Sequence, residues 1–347
     1  MQTINEVAGR LLREKDKALK KSGSRKTALL IRYGAIGDLI MITPVLRKLK
    51  KEGYFVVVNT HKDSAPLTCN PNIDVNIRQK VNEVPNEMLN DYWEELGKGF
   101  DKVINLSESI EGALLKPEGS IKFSWPKEIR HEECNKNYMD YTMQKAGYED
   151  KGMLPELYFS KAEHKWAENF MAKHRDKFVV LISLSGSAFH KVYPFMENVI
   201  TEFLDTYTDT LAITVGADVD RMLEWEHPRT ISWSGKIKLR KALILTQYVN
   251  LVIGTETGLI NAASCFDTPK IVMLSHSSEE NLTKYWKNCE YLHGDVSCYP
   301  CHQLHYTKKS CKLNSATESP LCMTMIHPVS VLARIEQFYK KLRRNAA

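Results

Sequence analysis

Residues 31–45 read Ile-Arg-Tyr-Gly-Ala-Ile-Gly-Asp-Leu-Ile-Met-Ile-Thr-Pro-Val, and this segment is the most informative one for the fold of the first half of the chain. An apolar run leads into it, Gly34 and Gly37 interrupt it, and an apolar periodic segment then extends to Leu49. This order predicts a β-strand, a tight turn and a helix. The turn presents backbone N–H groups and the positive end of a helix dipole, so it suits an anionic or phosphorylated ligand.

Asp38 lies in the first turn of that predicted helix. A carboxylate at this position can cap the helix N-terminus, or it can act as a base beside a bound substrate. The local pattern by itself favours the cap, because Asp is a preferred capping residue. The choice between the two functions depends on the other motifs of the chain.

Short β-rich apolar runs alternate with helical patterns along the chain, which predicts βαβ units and parallel sheets. The strands fall into two groups, and 347 residues suit two domains. We therefore expect an α/β protein with two doubly wound, Rossmann-like domains facing a central cleft, where ligands bind beyond the carboxyl ends of the strands. The predicted strands are 27–33, 54–59, 101–106, 178–184, 210–215, 249–253 and 270–274, and the predicted helices are 39–52, 86–97, 136–146, 162–174, 194–207, 236–247, 258–265 and 328–344.

The net charge of +6 is concentrated at the two ends of the chain. Residues 1–26 carry eight Lys or Arg against three acidic residues, and residues 332–347 carry five against one. The N-terminal segment predicts an amphipathic basic helix, which can touch anionic lipid or nucleic acid or can be an ordinary solvated helix. With no apolar run of about 20 residues and no signal-peptide core, we expect a cytoplasmic protein that can associate peripherally with the inner face of the membrane.

Two further small-residue turns follow predicted strands in the second half of the chain. Ser185-Gly186-Ser187 is followed by Lys191, which can neutralise a phosphate as a point charge or can be an ordinary surface lysine. Residues 254–258 read Gly-Thr-Glu-Thr-Gly and offer N–H groups at a helix start. Glu256 in this turn can accept hydrogen bonds from sugar or ribose hydroxyls, and capping by a threonine is the alternative explanation of the turn.

Two groups of residues have metal-ligand character. Asp218 and Asp220 form an Asp-x-Asp pair, which can hold a divalent metal with a nucleotide diphosphate but is more often a pair of surface carboxylates. Four of the eight cysteines are spaced C-x2-C-x9-C-x10-C, and without an export signal this favours a metal site or reduced thiols over disulfides. The first pair also matches a c-type haem attachment pattern, which the missing export signal argues against. We expect a structural zinc site or free thiols at Cys298, Cys301, Cys311 and Cys322.

In their order along the chain, these motifs resemble those of the ADP-heptose:lipopolysaccharide heptosyltransferases, glycosyltransferase family nine. The similarity extends from about Lys26 to about Phe338. The strongest motif of that family is Asp-Thr-Gly-x2-His-x-Ala, and here Glu256 replaces the aspartate and Asn261 replaces the histidine. The other matching residues are Arg32, Gly34, Gly37, Asp38 and Pro44, then Gly186, Ser187, Lys191, Tyr193 and Pro194, then Val215-Gly216, the segment 235–245 and Cys322-Met323.

The resemblance implies a GT-B fold and an inverting transfer of a heptose-like sugar, from an ADP-sugar, to a hydroxyl of a lipopolysaccharide-core-type saccharide. It implies that Asp38 is the general base, that Lys191 stabilises the departing diphosphate, and that catalysis requires no metal. The implied donor-binding residues are Ser185, Gly186, Ser187, Gly216, Glu256, Thr257, Gly258 and Asn261, and the implied acceptor-side residues are Arg32, Gly34 and Gly37.

The predicted division of the chain follows from the same resemblance. Residues 1–26 form a basic helical extension, 27–160 the acceptor-side domain, 161–327 the nucleotide-sugar-binding domain, and 328–347 a helix that packs back on the N-terminal domain. The two departures from the family motif leave two alternatives. One is a glycosyltransferase that acts on nucleic acid, for example on a modified base, through its basic ends. The other is an inactive GT-B protein that only binds sugar nucleotides.

Overall fold

The computed structural model describes residues 3–23, 26–61, 64–80, 83–107, 125–303 and 311–346. The chain forms two compact units, one made of residues 1–110 and 139–159 and the other of residues 111–138 and 160–347. Each unit has one parallel sheet with helices, so the expected α/β class with two doubly wound halves is confirmed. The two units meet along the chain at residues 159 and 160, and the segment 125–138 belongs to the second unit. The domain division expected from the sequence stays a prediction.

The first unit has a four-stranded sheet in the order β3-β2-β1-β4, and every pair is parallel. The central strand β1 is buried from Thr27 to Arg32, as expected for a strand covered on both faces. Its alternate side chains enter two different core clusters. The elements are α1 (Ile4–Ser22), β1 (Lys26–Arg32), α2 (Ile36–Met41), α3 (Thr43–Lys51), β2 (Tyr54–Thr60), β3 (Val75–Arg78), α4 (Leu89–Gly97) and β4 (Lys102–Asn105), while α6 (Tyr138–Lys145) begins at the boundary between the units.

The N-terminal extension is helical, as predicted, and it is an integral part of the first unit. α1 begins with a capping box formed by Thr3 and Glu6, and it ends at Gly23, whose left-handed backbone favours glycine. Val7 and Leu11 of α1 are buried in the same cluster as the apolar side chains of β1 and α4. The segment therefore contributes to the core and is not a solvated appendage.

The second unit has a six-stranded parallel sheet in the order β10-β9-β8-β5-β6-β7. The chain moves outward from β5 to β7 and then returns to start again at β8, so the topological switch point lies between β5 and β8. The elements are α5 (Lys127–Cys134), α7 (Lys161–Ala172), β5 (Phe178–Ser183), α8 (Met196–Thr206), β6 (Thr210–Val215), β7 (Thr230–Ser232), α9 (Leu239–Tyr248), β8 (Leu251–Thr255), α10 (Gly258–Ala263), β9 (Lys270–Leu274), β10 (Cys289–His293), α11 (Leu321–Thr324) and α12 (Pro328–Ala346).

The C-terminal helix α12 contributes to the core of the second unit. The expectation that it also packs back on the N-terminal domain stays a prediction. Val331, Ile335 and Phe338 form an apolar stripe in the core cluster that also contains residues of α8. Arg343 pairs with Asp209, in the turn before β6. This apolar stripe of α12 is buried because it packs against the apolar face of α8. Among the described residues, no helix is long and apolar enough to cross a membrane.

Candidate functional site

The turn after β1 is shaped by the side chain of Asp38, which folds back over it. The carboxylate Oδ2 accepts a hydrogen bond from the N–H of Ala35 at 2.7 Å. A Cβ on Gly34 would lie 2.7 Å from that oxygen, so only glycine fits at this position. Gly37 is buried inside α2. The capping geometry predicted for Asp38 is therefore present.

Arg32 holds the other oxygen of the same carboxylate. Its guanidinium is fully buried, and Nη2 lies 3.0 Å from Asp38 Oδ1. Nη1 donates to the carbonyl of Leu106 at 2.9 Å, which fixes the guanidinium at the end of β4. About a fifth of the Asp38 side chain remains exposed. A carboxylate with two oxygens has lone pairs beyond these two contacts, so Asp38 can cap the turn and still accept a proton.

Three segments of the second unit meet at its switch point. A Cβ on Gly186 would lie 2.7 Å from Lys191 Cδ and 3.2 Å from Thr257 Cγ2, so the turn after β5 touches both residues. Lys191 is buried in a short 3₁₀ turn, Phe189–Lys191, and its carbonyl accepts from the hydroxyl of Thr255 at 2.7 Å. The structure thus places Lys191 at the ends of β5 and β8, and not on the solvated surface.

The start of α10 is closed by its own side chains. Thr257 Oγ1 accepts from the N–H of Ile260 at 3.4 Å and lies 3.0 Å from Ser183 Oγ. Gly258 is half-buried at the first helical position. The side-chain oxygen of Asn261 is buried and has no hydrogen-bond partner among the described residues. Asn261 therefore has an acceptor that a bound hydroxyl can satisfy.

Glu256 binds a neighbouring loop of the protein. Its carboxylate accepts from the backbone N–H groups of Ser275, His276 and Ser277 and from the hydroxyl of Ser275, at distances of 2.7 to 3.2 Å. The residue is 6% exposed. These four bonds occupy most of the lone pairs of the Glu256 carboxylate, which leaves little room for a further hydrogen bond. Recognition of a sugar hydroxyl by Glu256 stays a prediction.

The turn after β6 has the same arrangement as the turn after β1, in which an aspartate carboxylate folds back over a glycine. Asp220 Oδ2 accepts from the N–H of Ala217 at 2.6 Å and fills the space beside Gly216, while Oδ1 accepts from the hydroxyl of Ser185. Asp220 thereby ties the turn after β6 to the turn after β5. Asp218 is exposed and pairs instead with Arg221. Ser187 is exposed in the turn after β5. The structure uses the two carboxylates of the Asp-x-Asp pair separately.

The four cysteines of the C-terminal segment, here called the cysteine cluster, come together in space. Cys298, Cys311 and Cys322 line a cavity of about 240 Å³ together with Asp295, Lys312 and Met325. Burial raises the pKa of Cys311 to about 11 and that of Cys301 to about 12, and the neighbouring Cys298 thiol contributes to both shifts. Cysteine binds zinc as the deprotonated thiolate, which these raised pKa values disfavour in the metal-free protein. Within the described ranges, no three His, Cys, Asp or Glu side chains are arranged to hold a metal ion.

No sequence pattern indicates that the segment 134–138 contributes to the second unit. The side-chain amide of Asn281 donates to the carbonyls of Cys134 and Lys136 at 2.9 Å. The hydroxyl of Tyr138 lies 3.1 Å from Ser277 Oγ. These bonds join residues more than 130 positions apart, so no local pattern could predict them.

Comparison with known proteins identifies the architecture. No protein family model and no curated protein matches the chain by sequence. Among solved structures, ADP-heptose lps heptosyltransferase II of E. coli superposes with a TM-score of 0.62 at 14% identity, covering 91% of this chain and 99% of that one. A glycosyl transferase of family 9 from Veillonella parvula superposes with a TM-score of 0.64 at 14% identity, covering 92% and 98%. The chain has the GT-B fold.

A third match is the iron-containing dodecameric glycosyltransferase TibC of enterotoxigenic E. coli, with a TM-score of 0.58 at 12% identity over 92% of this chain and 78% of that one. These structural neighbours are glycosyltransferases, so the resemblance seen in the sequence motifs is confirmed at the level of the fold. Identities of 12–14% carry the fold alone and not the substrate.

Proposed function

We propose that the protein is an inverting glycosyltransferase that moves a sugar from a nucleotide-sugar donor to an acceptor hydroxyl. The observation that carries this proposal is the meeting of Gly186, Lys191 and Thr257 at the switch point between β5 and β8. In doubly wound sheets this is the place where nucleotides bind. A buried lysine there supplies the counter-charge that a diphosphate needs when it leaves.

The donor in this proposal is an ADP-sugar of heptose-like size. Support comes from the neighbour TibC, whose solved complex contains ADP-D-beta-D-heptose. The side-chain oxygen of Asn261, which has no hydrogen-bond partner in the part of the chain that the structure describes, provides an acceptor for one hydroxyl of the donor. The residues expected at the donor are the small-residue turn 185–187, Gly216, Lys191 and the turn 256–261.

Asp38 is the general base in this proposal. The acceptor oxygen attacks the anomeric carbon and forms the new glycosidic bond, while the bond from that carbon to the phosphate oxygen breaks and its electron pair leaves with the nucleoside diphosphate. The proton of the acceptor hydroxyl passes to Asp38. Lys191 meets the charge that develops on the diphosphate, so the proposed step uses this counter-charge in place of a metal ion. Arg32 holds the carboxylate that takes the proton.

The acceptor is proposed to be anionic, as a phosphorylated saccharide of the lipopolysaccharide core is. One face of α1 carries a basic stripe of exposed side chains that form no ion pair within the described part of the chain: Arg13, Lys17, Lys20 and Lys21. This stripe supports contact with a phosphorylated saccharide or with anionic lipid at a membrane surface. Nucleic acid is the second candidate partner of the same stripe, because phosphates of any source meet the same cations.

A panel of nucleotide sugars tests the proposal. The protein is incubated with ADP-, UDP-, GDP- and CMP-linked sugars, and mass spectrometry detects the nucleotide released. The proposal expects release from one nucleoside-diphosphate sugar, faster in the presence of a lipopolysaccharide-core oligosaccharide than with duplex DNA. Acceleration by DNA alone would favour the nucleic-acid enzyme. Binding of a nucleotide sugar without any release would favour the inactive binding protein.

A further inference from the structure

Glu256 stands where the resembling family has an aspartate, and its extra methylene is used to reach a loop. Oε1 accepts from the N–H groups of Ser275 at 2.7 Å, His276 at 3.2 Å and Ser277 at 3.1 Å. Oε2 accepts from the Ser275 hydroxyl at 2.7 Å. Three successive amides thus converge on one carboxylate oxygen, which fixes the backbone immediately after β9.

The loop held in this way leads back to Lys191. The ring of His276 packs edge-on against the ring of His190, with centroids 5.2 Å apart. His190 directly precedes Lys191, whose carbonyl accepts from Thr255. Two neighbouring residues at the end of β8 therefore support the turn of Lys191, Thr255 directly and Glu256 through the loop 275–277.

The loop is also held from its other side. Ser277 Oγ lies 3.1 Å from the hydroxyl of Tyr138, and Ser278 Oγ donates to Asn135 at 2.5 Å. Ser277 and Tyr138 are both buried. A buried hydrogen-bond network of this kind rigidifies a site. Removal of the Glu256 carboxylate would leave three buried N–H groups without their acceptor, and buried donors without partners destabilise the folded protein.

We propose that Glu256 is a positioning residue, which places Lys191 for the leaving diphosphate by holding the loop 275–277. The identity of the ligand in this inference rests on the proposed function. The anchoring of the loop 275–277 by Glu256 is independent of that function. Two substitutions of Glu256 distinguish an effect of side-chain length from an effect of side-chain charge. Gln has the same length, its carbonyl oxygen can accept the three N–H bonds, and its NH₂ group can donate to the Ser275 hydroxyl. Asp is shorter by about 1.5 Å, which carries bonds of 2.7–3.2 Å beyond hydrogen-bond distance.

The test compares Glu256→Gln with Glu256→Asp in the full chain, by hydrogen exchange of the peptide 274–283 and by donor KM and kcat. We expect exchange in the Asp variant to be about tenfold faster or more, and its donor KM to rise at least tenfold. We expect the Gln variant to stay within about threefold of the wild type in both measurements. Ser275→Ala removes only one of the four bonds, so its effect should be smaller than that of Asp.

Glu163→Gln is the matched control, because Glu163 is another capping carboxylate of the second unit and lies outside this loop. It should leave exchange of 274–283 unchanged. A ligand contact made by the Glu256 charge would give the opposite order, with Asp active, Gln inactive and exchange unchanged in both variants, and that result overturns the inference. If the wild type binds and releases no nucleotide, the proposed function fails, while the exchange measurement still decides the hold on the loop.

Discussion

Replacing Asp38 by Asn separates the two functions of this carboxylate. The Asn oxygen can still accept from Ala35, so the turn after β1 keeps its cap. The ion pair with Arg32 is lost, and breaking a fully buried pair costs about 3–5 kcal/mol. Because the Asp38 side chain is 20% exposed, water can compensate part of this loss, and we expect a decrease in unfolding free energy of about 2 kcal/mol.

That loss of stability is too small to explain a large loss of activity. Domains of ordinary stability, about 5–15 kcal/mol, remain more than about 99% folded after losing about 2 kcal/mol. General-base catalysis, in contrast, contributes about 10²–10⁴ to a rate. We therefore expect kcat of Asp38→Asn to fall by about two orders of magnitude or more, in a transfer assay run on protein whose unfolding free energy is measured by urea titration.

Asp101→Asn is the matched control. Asp101 lies at the other end of β1, where Oδ2 accepts from the backbone N–H of Thr27 at 2.7 Å and from its hydroxyl at 2.8 Å. It should keep its turnover, and because Asp101 is exposed its loss of stability should be smaller than that of Asp38→Asn. Turnover of Asp38→Asn within tenfold of the wild type, or an equal loss in Asp101→Asn, would refute the role of Asp38 as the base.

The hydrogen bonds from Arg240 and from Ser160 lower the pKa of Glu163 from 4.5 to about 2, so the unfolded state binds more protons as the pH falls through this window. The stability that this shift gives is present above pH 4.5 and is lost toward pH 2, so the melting temperature of Glu163→Gln should depend less on pH in that range than that of the wild type; an equal pH dependence counts against the ion pair. Alanine at all four positions of the basic stripe should weaken binding to phosphatidylglycerol vesicles at low salt without lowering the melting temperature. If the variant binds the vesicles as well as the wild type does, the stripe does not contact an anionic acceptor. If the cysteine cluster holds zinc, the purified untagged protein contains one equivalent, and chelation lowers its melting temperature; no metal together with four reactive thiols would identify free cysteines.

The parts of the fold that were predicted correctly are those with a strong local pattern. The central strands β1, β5 and β8 are uninterrupted apolar runs, because helices cover both faces of their sheets. The edge strands β3, β7 and β10 were missed, since they are half exposed and short. The predicted helix 39–52 was wrong in one detail: it is divided into α2 and α3, and Pro44 lies in the first turn of α3, where its missing N–H is tolerated.

The candidate site was predictable where glycine turns follow strands, and not where distant side chains meet. Gly34 and Gly186 mark the two turns from their position in the sequence, and both are close to side chains that a Cβ would strike. Nothing local distinguishes Glu256 as a ligand contact from Glu256 as the anchor of the loop 275–277. The bond between Ser185 and Asp220 likewise depends on β5 and β6 being neighbours in the sheet.

The central claim, that the second unit binds a nucleoside diphosphate against Lys191, is tested most directly by calorimetric titration of ADP, UDP and GDP into three proteins. These are the wild type, Lys191→Ala and Lys287→Ala, the last removing an exposed lysine of the same unit that pairs with Asp267. A charged contact contributes about 1.5–3 kcal/mol. We predict that one nucleotide, ADP, binds the wild type, that Lys191→Ala weakens its Kd by about tenfold or more, and that Lys287→Ala leaves it unchanged. Binding of no nucleotide, or equal Kd values for the two lysine variants, would show that the second unit does not bind a nucleoside diphosphate against Lys191.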